Sequence, residues 1–437
     1  MGRSFKSVIR GEGIIRTLTS SQCETLSREY ANMLSCVRCG ACLTSCPTYV
    51  LTANEAEGPR GRVAMIRAVV EDGLPLTDDF LAHQQSCLVC DACTSTCPAG
   101  VRMDPLQVAL RSVLPRRRSL GERLGFALLG DLRLLRAASR LLRFYQRSGL
   151  QWLARNLGVL RLLGISDKER LLPRVPGSFL TPSGQVYPAE PPRGVTADAS
   201  RSDGARLRFF AGCIMSTALA DLDQATIRVL QRAGFEAEVT AGQGCCGALH
   251  AHTGDLARAE ELARRNIDAF AGEGTIVVNS AGCGAMLKDY GHLLGTADAR
   301  AFSARVKDLT EILAGRPLEL RIEPETVAYQ DACHLAHAQG IRQQPRAILR
   351  AIEGLDLKEL RDGGMCCGSA GVYNVLHPEQ AGELQRRKAE SIIASGATTV
   401  VTCNPGCLLQ IRAGLEEAGA EIQVKHLAEL LDEASAR

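Results

Sequence analysis

Two rhythms of apolar residues divide this chain. In GPRGRVAMIRAVVEDGL (residues 58–74) a Gly-Pro turn is followed by apolar residues at helical spacing, and DLRLLRAASRLLRFY (131–145) reads as an amphipathic helix rich in Leu and Arg. From residue 207 the rhythm changes to short strand-like or β-branched runs: LRFFAG (207–212), TIVVN (275–279), TVAYQDA (326–332) and TTVVT (398–402). Helical stretches and short loops separate these runs. That alternation predicts small parallel α/β units.

Marking the cysteines exposes two internal repeats. SCVRCGACLTSCP (35–47) returns about fifty residues later as SCLVCDACTSTCP (86–98), and residues 207–291 match 327–415 in layout. Each longer repeat runs strand, Cys, helix, Cys-Cys-Gly, helix, β-branched run, Gly-Cys, helix. Duplicated units of this kind argue for two similar halves packed together. Between the repeats lie a basic helical stretch and a segment holding Pro173, Pro176, Pro182, Pro188, Pro191 and Pro192, which reads as an extended linker.

The expected organisation is multidomain: an α-helical module carrying the shorter cysteine repeat, then two repeated α/β cysteine-rich units. The boundaries read 1–115 for the helical domain, 116–172 for the basic connector, 173–205 for the Pro-rich linker, 206–315 and 316–437 for the cysteine-rich units. A length of 437 residues suits several cores, and 46% hydrophobic with 23% charged residues is a globular balance. No run of eighteen apolar residues occurs, so no spanning helix is expected. The stretch MGRSFKSVIRGEGIIRTLTS has no continuous apolar run, so no secretory signal is expected either. The expected location is the cytoplasm.

Net charge is only +3, but residues 111–164 hold twelve arginines against Glu122 and Asp131. Packing against protein is the first expectation for this segment. Contact with an anionic membrane surface, with Phe144 and Trp152 at the interface, is the second. Nucleic acid is not an expected partner, because no aromatic platform accompanies the basic charge.

Eighteen cysteines dominate the chemistry, and sixteen fall into four tight patterns; Cys23 and Cys403 stand outside. In a large chain without a secretory signal such patterns mean metal or redox chemistry rather than disulfides. Cys36, Cys39, Cys42 and Cys46 follow C-x2-C-x2-C-x3-C-P, and Cys87, Cys90, Cys93 and Cys97 repeat it. Three cysteines at this spacing wrap one corner of a cubane, and in two-cluster ferredoxins the fourth ligates the other cluster. The expected sets are Cys36, Cys39, Cys42 and Cys97, and Cys87, Cys90, Cys93 and Cys46, which makes residues 1–115 an α-helical two-[4Fe–4S] ferredoxin module ahead of the two α/β cysteine-rich units. Structural zinc normally uses separated pairs and leaves the third cysteine of each run unexplained.

The longer repeats bring together Cys213, Cys245, Cys246 and Cys283, and again Cys333, Cys366, Cys367 and Cys407. Adjacent thiolates can face one site when the backbone turns sharply, which Gly247 and Gly368 permit. A metal cluster, a redox dithiol and a zinc site all suit such a set, as do plain buried cysteines.

CPTY, GPRGR, GCCGALH, NSAGCG with KDYG, CCGSAGVYNVLHPE and NPGCLLQI together resemble the glycolate oxidase iron–sulfur subunit family. Its cysteine-pair repeats are similar to the CCG domains of heterodisulfide reductase and lactate-utilisation proteins. The resemblance covers residues 35–110 and 207–415. The family motif ends in C-x2-C, but Ser280 and Asn404 stand where the first of those cysteines belongs, so each half keeps four thiols. Five cysteines hold a noncubane cluster in the heterodisulfide-type relatives.

The resemblance implies an electron-transfer subunit of a glycolate (2-hydroxy acid) oxidase complex. Electrons would pass from FAD on partner subunits, through the clusters, to a quinone-type acceptor. No Gly-x-Gly-x-x-Gly follows a strand here, in keeping with a flavin held elsewhere. The iron–sulfur subunit of a glycerol-3-phosphate or D-lactate dehydrogenase, and a disulfide reductase, are the alternatives. His250, His252, His334 and His337 are candidates for proton relay or metal ligation; helix capping or bonding to a backbone carbonyl is the simpler role. Arg60 and Arg62 in GPRGR can raise a cluster potential or dock a partner, or occupy a solvated turn.

Overall fold

The computed structural model describes residues 18–114, 118–162, 164–190, 205–316 and 318–435. The leader reading at residues 1–17 and the linker positions 191–204, with Pro191 and Pro192, lie outside the described residues. Internal contacts divide the chain into two compact units, the first holding the described residues up to 114 with 252–256, the second the rest.

The first unit is built from helices and cysteine loops. Helices α1 (Ser20–Ser27), α2 (Tyr30–Leu34), α3 (Pro47–Thr52), α4 (Pro59–Glu71), α5 (Asp78–Gln85), α6 (Ala92–Thr96) and α7 (Met103–Val113) surround a core that includes Leu26, Met33, Val63, Ile66, Leu106 and Leu110. Burying each such side chain stabilises the fold by about 1.5–3 kcal/mol. Pro47 and Pro59 each open a helix, where a missing N–H costs nothing. Gly61 lets α4 press onto the short turn at Glu55–Glu57, since a Cβ there would stand 1.9 Å from the Glu55 carbonyl oxygen.

In the second unit, the basic stretch forms α8 (Leu120–Gly130), α9 (Leu132–Arg147), α10 (Leu150–Asn156), α11 (Val159–Leu162) and α12 (Ser166–Arg170). Ser119 caps α8 in a reciprocal box with Glu122, and Asp131 caps α9. Part of the Pro-rich stretch read as linker becomes β1 (Gln185–Tyr187), which pairs antiparallel with β3 and covers that sheet edge.

The two halves of this unit repeat one topology. The first runs β2 (Arg206–Phe210), α13 (Ala220–Arg232), β3 (Glu236–Val239), α14 (Ala248–His252), α15 (Leu256–Ala269), β4 (Ile276–Val278), α16 (Ala281–Lys288), α17 (Tyr290–Leu294), α18 (Ala297–Arg305), β5 (Val306–Asp308) and α19 (Leu309–Leu313). The second runs β6 (Arg321–Gln330), α20 (Gln343–Arg350), β7 (Glu353–Glu359), α21 (Tyr373–Leu376), α22 (Pro378–Ala394), β8 (Thr399–Thr402), α23 (Pro405–Glu417), β9 (Gln423–His426) and α24 (Leu427–Ser435). Strand order is β1-β3-β2-β4-β5 in one sheet and β7-β6-β8-β9 in the other, parallel apart from β1.

In both sheets the chain leaves the central strand toward one side and returns on the other. The carboxyl ends of β2 and β4, and of β6 and β8, therefore flank a topological switch point, where loops diverge and leave a crevice. The last helix of each half packs on the first helix of the other, α24 on α13 and α19 on α20. Asp432 of α24 receives Arg228 at 2.6 Å and Arg232 at 2.8 Å. One hydrophobic core spans both sheets.

Candidate metal centres

Two cavities open among the cysteine loops of the first unit. Cys36, Cys39 and Cys42 line the larger together with Cys97; Cys46, Cys87 and Cys90 line the smaller, and Cys93 borders both. Each triplet thus meets a fourth thiol from the other copy of the motif. The two loops twist alike, with positive φ at Arg38 and Gly40 in one and at Val89 and Asp91 in the other. A β-branched residue such as Val89 resists that region at a cost of about 1–3 kcal/mol, and such strain gathers at functional sites.

The surroundings of the two cavities differ. Cys46, Cys87 and Cys90 are buried, whereas Cys39 is exposed and Cys36, Cys42 and Cys97 are intermediate. Arg60 is half-exposed and paired with Glu55 at 2.6 Å, while Arg62 is buried and paired with Glu57 at 2.9 Å. The Arg-Gly-Arg spacing puts the two cations beside different cavities.

The cysteines of the second unit gather at the two switch points. Cys213 follows β2, the pair Cys245 and Cys246 follows β3, and Cys283 lies at the third position of α16 after β4. Cys333, Cys366, Cys367 and Cys407 repeat those places, with Cys407 third in α23. Gly247 and Gly368, at φ +86° and +90°, turn the backbone after each pair; a Cβ on Gly368 would meet the Ala381 carbonyl oxygen at 2.5 Å.

Hydrogen bonds between sulfurs connect each set. Cys245 is held well below the usual thiol range by the thiols of Cys213 and Cys246, helped by the Gly247 N–H 3.4 Å from its Sγ. Cys283 is lowered by Cys246 and then by Ser280, while Cys213 and Cys246 are raised as the donors. In the second set Cys333 falls to about 7 beside the Cys366 thiol, and Cys367 is lowered by Cys366 and Cys407, which both rise. In each set two cysteines are thus favoured toward the deprotonated form and two are opposed, and all are of a type that ligates soft metals.

Ser280 and Asn404 take a part that sequence did not reveal. They are the N-cap residues of α16 and α23, yet neither side chain caps its own helix backbone. Ser280 bonds the Cys283 sulfur, and Asn404 Nδ2 donates to Cys407 Sγ at 3.7 Å. The buried Lys388 further favours the Cys367 thiolate. Cys403, outside the four patterns, is buried in the core with its sulfur 3.6 Å from Tyr329 Oη, and burial pushes it up beyond reactive range.

The histidines differ among themselves. His337 bonds the Gly364 carbonyl oxygen at 2.8 Å and accepts from Arg342 at 2.8 Å, the simpler of its two expected roles. His250 lies edge-on to Phe126 at 5.2 Å and favours the Cys245 thiolate. His252, in the first unit by its contacts, stands 3.6 Å from Asp104. His334 opens a π-helical turn and lowers Cys333, its chain neighbour, as well as Cys283 of the other half.

Among the described residues no group of three or more His, Cys, Asp or Glu is arranged to hold one metal ion. An iron–sulfur core spreads its thiolates over several irons, and the all-thiol sets around the two cavities of the first unit suit such a core.

Three family descriptions match the chain. "4Fe-4S dicluster domain" covers residues 32–101, "Cysteine-rich domain" covers 207–288 and again 327–412, and "Glycolate oxidase iron-sulfur subunit, linker region" covers 109–172. The chain is 36% identical over 427 residues to a probable glycolate oxidase iron-sulfur subunit of Bacillus subtilis (strain 168), which spans 92% of this chain and 94% of that one. It is 32% identical over 417 residues to the glycolate oxidase iron-sulfur subunit of Escherichia coli (strain K12), across 92% and 93% of the two. A fumarate reductase (CoM/CoB) subunit of Methanothermobacter marburgensis is 30% identical over 414 residues, across 91% of this chain and 71% of its own. The multidomain layout of an iron–sulfur domain followed by two cysteine-rich repeats agrees with the sequence expectation.

Proposed function

Because the chain belongs to the family of glycolate oxidase iron–sulfur subunits, we propose that it is the electron-transfer subunit of a 2-hydroxy acid oxidase or dehydrogenase complex. In this reading Cys36, Cys39, Cys42 and Cys97 hold one [4Fe–4S] cluster, and Cys46, Cys87, Cys90 and Cys93 hold a second. The observation that carries it is the crossing of the fourth cysteines, Cys97 beside the first triplet and Cys46 beside the second. When bound, such clusters supply one-electron carriers between a two-electron flavin donor and a quinone-type acceptor. The chain's own residues fix the thiolates, exclude water with Leu88 and Val89, and set the local charge with Arg60 and Arg62. FAD belongs to partner subunits.

Anaerobic purification of the full chain tests this reading. About eight irons, two cubanes' worth, with visible absorption are expected from the first unit. The isolated chain should bind no FAD and leave glycolate untouched, yet restore acceptor reduction when mixed with its flavin partners. Zinc in a colourless protein, or glycolate turnover by this chain alone, is the contrary result.

Within each cysteine pair one thiol is lowered and its neighbour raised, which favours one further reading, thiol–disulfide exchange at the paired cysteines. Alkylation of iron-free protein should then label Cys245, Cys283, Cys333 and Cys367 before the rest. Uniform labelling would remove this alternative.

Location in the cytoplasm with peripheral contact on the inner membrane face completes the proposal. No helix among the described residues is long and apolar enough to cross a membrane. Leu132 and Leu135 of α9 pack over Cys213 and Cys245, while Leu141, Phe144 and Trp152 remain 71%, 64% and 70% exposed beside exposed arginines. Such a face suits an anionic bilayer. Cosedimentation with anionic but not neutral vesicles, lost in Trp152→Ser with Phe144→Ser, checks it.

A further inference from the structure

Arg62 stands in the first turn of α4 with its side chain only 1% exposed. All five of its N–H donors are used. Nε donates to the His83 carbonyl oxygen at 2.9 Å, Nη2 to Ser86 Oγ at 2.8 Å and Glu57 Oε2 at 2.9 Å. Nη1 donates to Thr48 Oγ1 at 3.1 Å and to Cys46 Sγ at 3.9 Å. Burial opposes the charge, but the sulfurs of Cys87 and Cys46 and the Glu57 carboxylate sustain it. A guanidinium held by five bonds cannot swing away when its surroundings change charge.

Glu57 is held in turn by the Ser86 hydroxyl and by His83 Nδ1 at 2.7 Å. The ion pair thus has a direction, with Arg62 Nη1 toward the sulfur. Arg60, two residues earlier, forks onto Glu55 at 2.9 and 2.6 Å in a half-exposed position, where water screens its charge.

We propose that Arg62 is the potential-setting residue of the site formed by Cys46, Cys87, Cys90 and Cys93, raising its reduction potential selectively over that of the site formed by Cys36, Cys39, Cys42 and Cys97. Each electron delivered to a site adds one unit of negative charge. Burial of Cys46, Cys87 and Cys90 opposes that addition. A fixed cation at hydrogen-bond distance favours it, with more force in a buried place than at the surface. Without Arg62 the buried site would be the harder of the two to reduce, and electrons entering at the exposed site would stop there.

The inference rests on the reading that two [4Fe–4S] clusters occupy these sites. Its test is an EPR-monitored redox titration of the anaerobically purified full chain, with iron counted in every variant. Arg62→Gln should lower one midpoint and leave the other in place, while Arg62→Lys, which keeps a cation, should shift it less. Glu57→Gln removes the opposing charge and should raise that same midpoint. If Arg62→Gln fails to fold, Glu57→Gln decides the question by its sign. Full iron with both midpoints unmoved, or both moved equally, overturns the inference alone. Wild-type iron short of two clusters overturns the premise and the inference with it.

Discussion

Asn404 accepts the backbone N–H of Gly282 on its Oδ1 at 3.0 Å, so a residue of the second repeat serves a helix start in the first. The N–H of Gly282 belongs to the first turn of α16, where backbone donors have no partner in their own helix. The other end of the same carboxamide reaches Cys407 at 3.7 Å. One side chain therefore touches the last-cysteine helices of both halves. Beside it, the Ala281 N–H donates to the Cys403 carbonyl oxygen at 3.0 Å.

Asn404→Ala should destabilise the second unit by about 0.5–1.5 kcal/mol, because the half-buried Gly282 donor loses its acceptor. Asn404→Asp keeps the acceptor and should recover most of that loss. Urea unfolding followed by circular dichroism compares the three proteins. An alanine variant as stable as wild type would show that the bridge contributes nothing.

Crossed ligation gives a second prediction. Cys97→Ser should perturb the EPR signal of the site that contains Cys36, Cys39 and Cys42, and Cys46→Ser that of the site containing Cys87 and Cys90. Each variant should also lose iron, since a serine oxygen is a poorer ligand for this core. The opposite pattern, with each fourth cysteine affecting its own triplet, contradicts the assignment.

The paired cysteines of the second unit give a third. Cys246→Ser and Cys367→Ser each remove the central link of a sulfur hydrogen-bond series. Both variants should lower electron transfer from reduced flavin partner to quinone, together with any metal bound in that unit. Full activity in both would make the pairs structural.

Much of this architecture was legible because cysteine spacing and strand patterning act over short stretches. Cys36 to Cys46 and Cys87 to Cys97 carried their arrangement in plain spacing, and LRFFAG and TVAYQDA marked the central strands of the two sheets. What stayed hidden depends on distance in space. Nothing in GPRGR distinguishes Arg60 from Arg62; only the packing of α4 on Glu55–Glu57 and α5 buries one and leaves the other half-exposed. β1 escaped notice because its three residues gain their strand character from the open edge of β3. Cys403 and Asn279 occupy equivalent places in the two repeats, a likeness that their different chemistry conceals.

A last prediction comes from the residues that end β5 and β9. Asp308 and His426 hold equivalent places, each before the last helix of its half, and each accepts a backbone N–H two residues on: Thr310 at 2.8 Å and Ala428 at 3.2 Å. Burial acts on them in opposite senses. It raises Asp308 to about 6, against the pull of the Thr310 bonds and of Lys288 and with that of Glu311, and it lowers His426 to about 4. The folded state therefore binds more protons at Asp308 than the unfolded chain does between about pH 3.8 and 6. Stability from Asp308 is full below that window and lost as pH rises through it. His426 does the reverse: its stabilisation is full above about pH 6.5 and lost as pH falls toward 4. Each shift is worth about 3 kcal/mol over its window, so the two nearly cancel in the intact protein. Asp308→Asn and His426→Asn keep an acceptor for the helix cap and separate the two effects. Relative to wild type, Asp308→Asn should gain about 3 kcal/mol as pH rises from 4 to 6, and His426→Asn should lose about as much as pH rises from 4 to 6.5. Urea midpoints measured across that range give the difference curves, and a flat difference for either variant would show that burial does not set the charge of that residue.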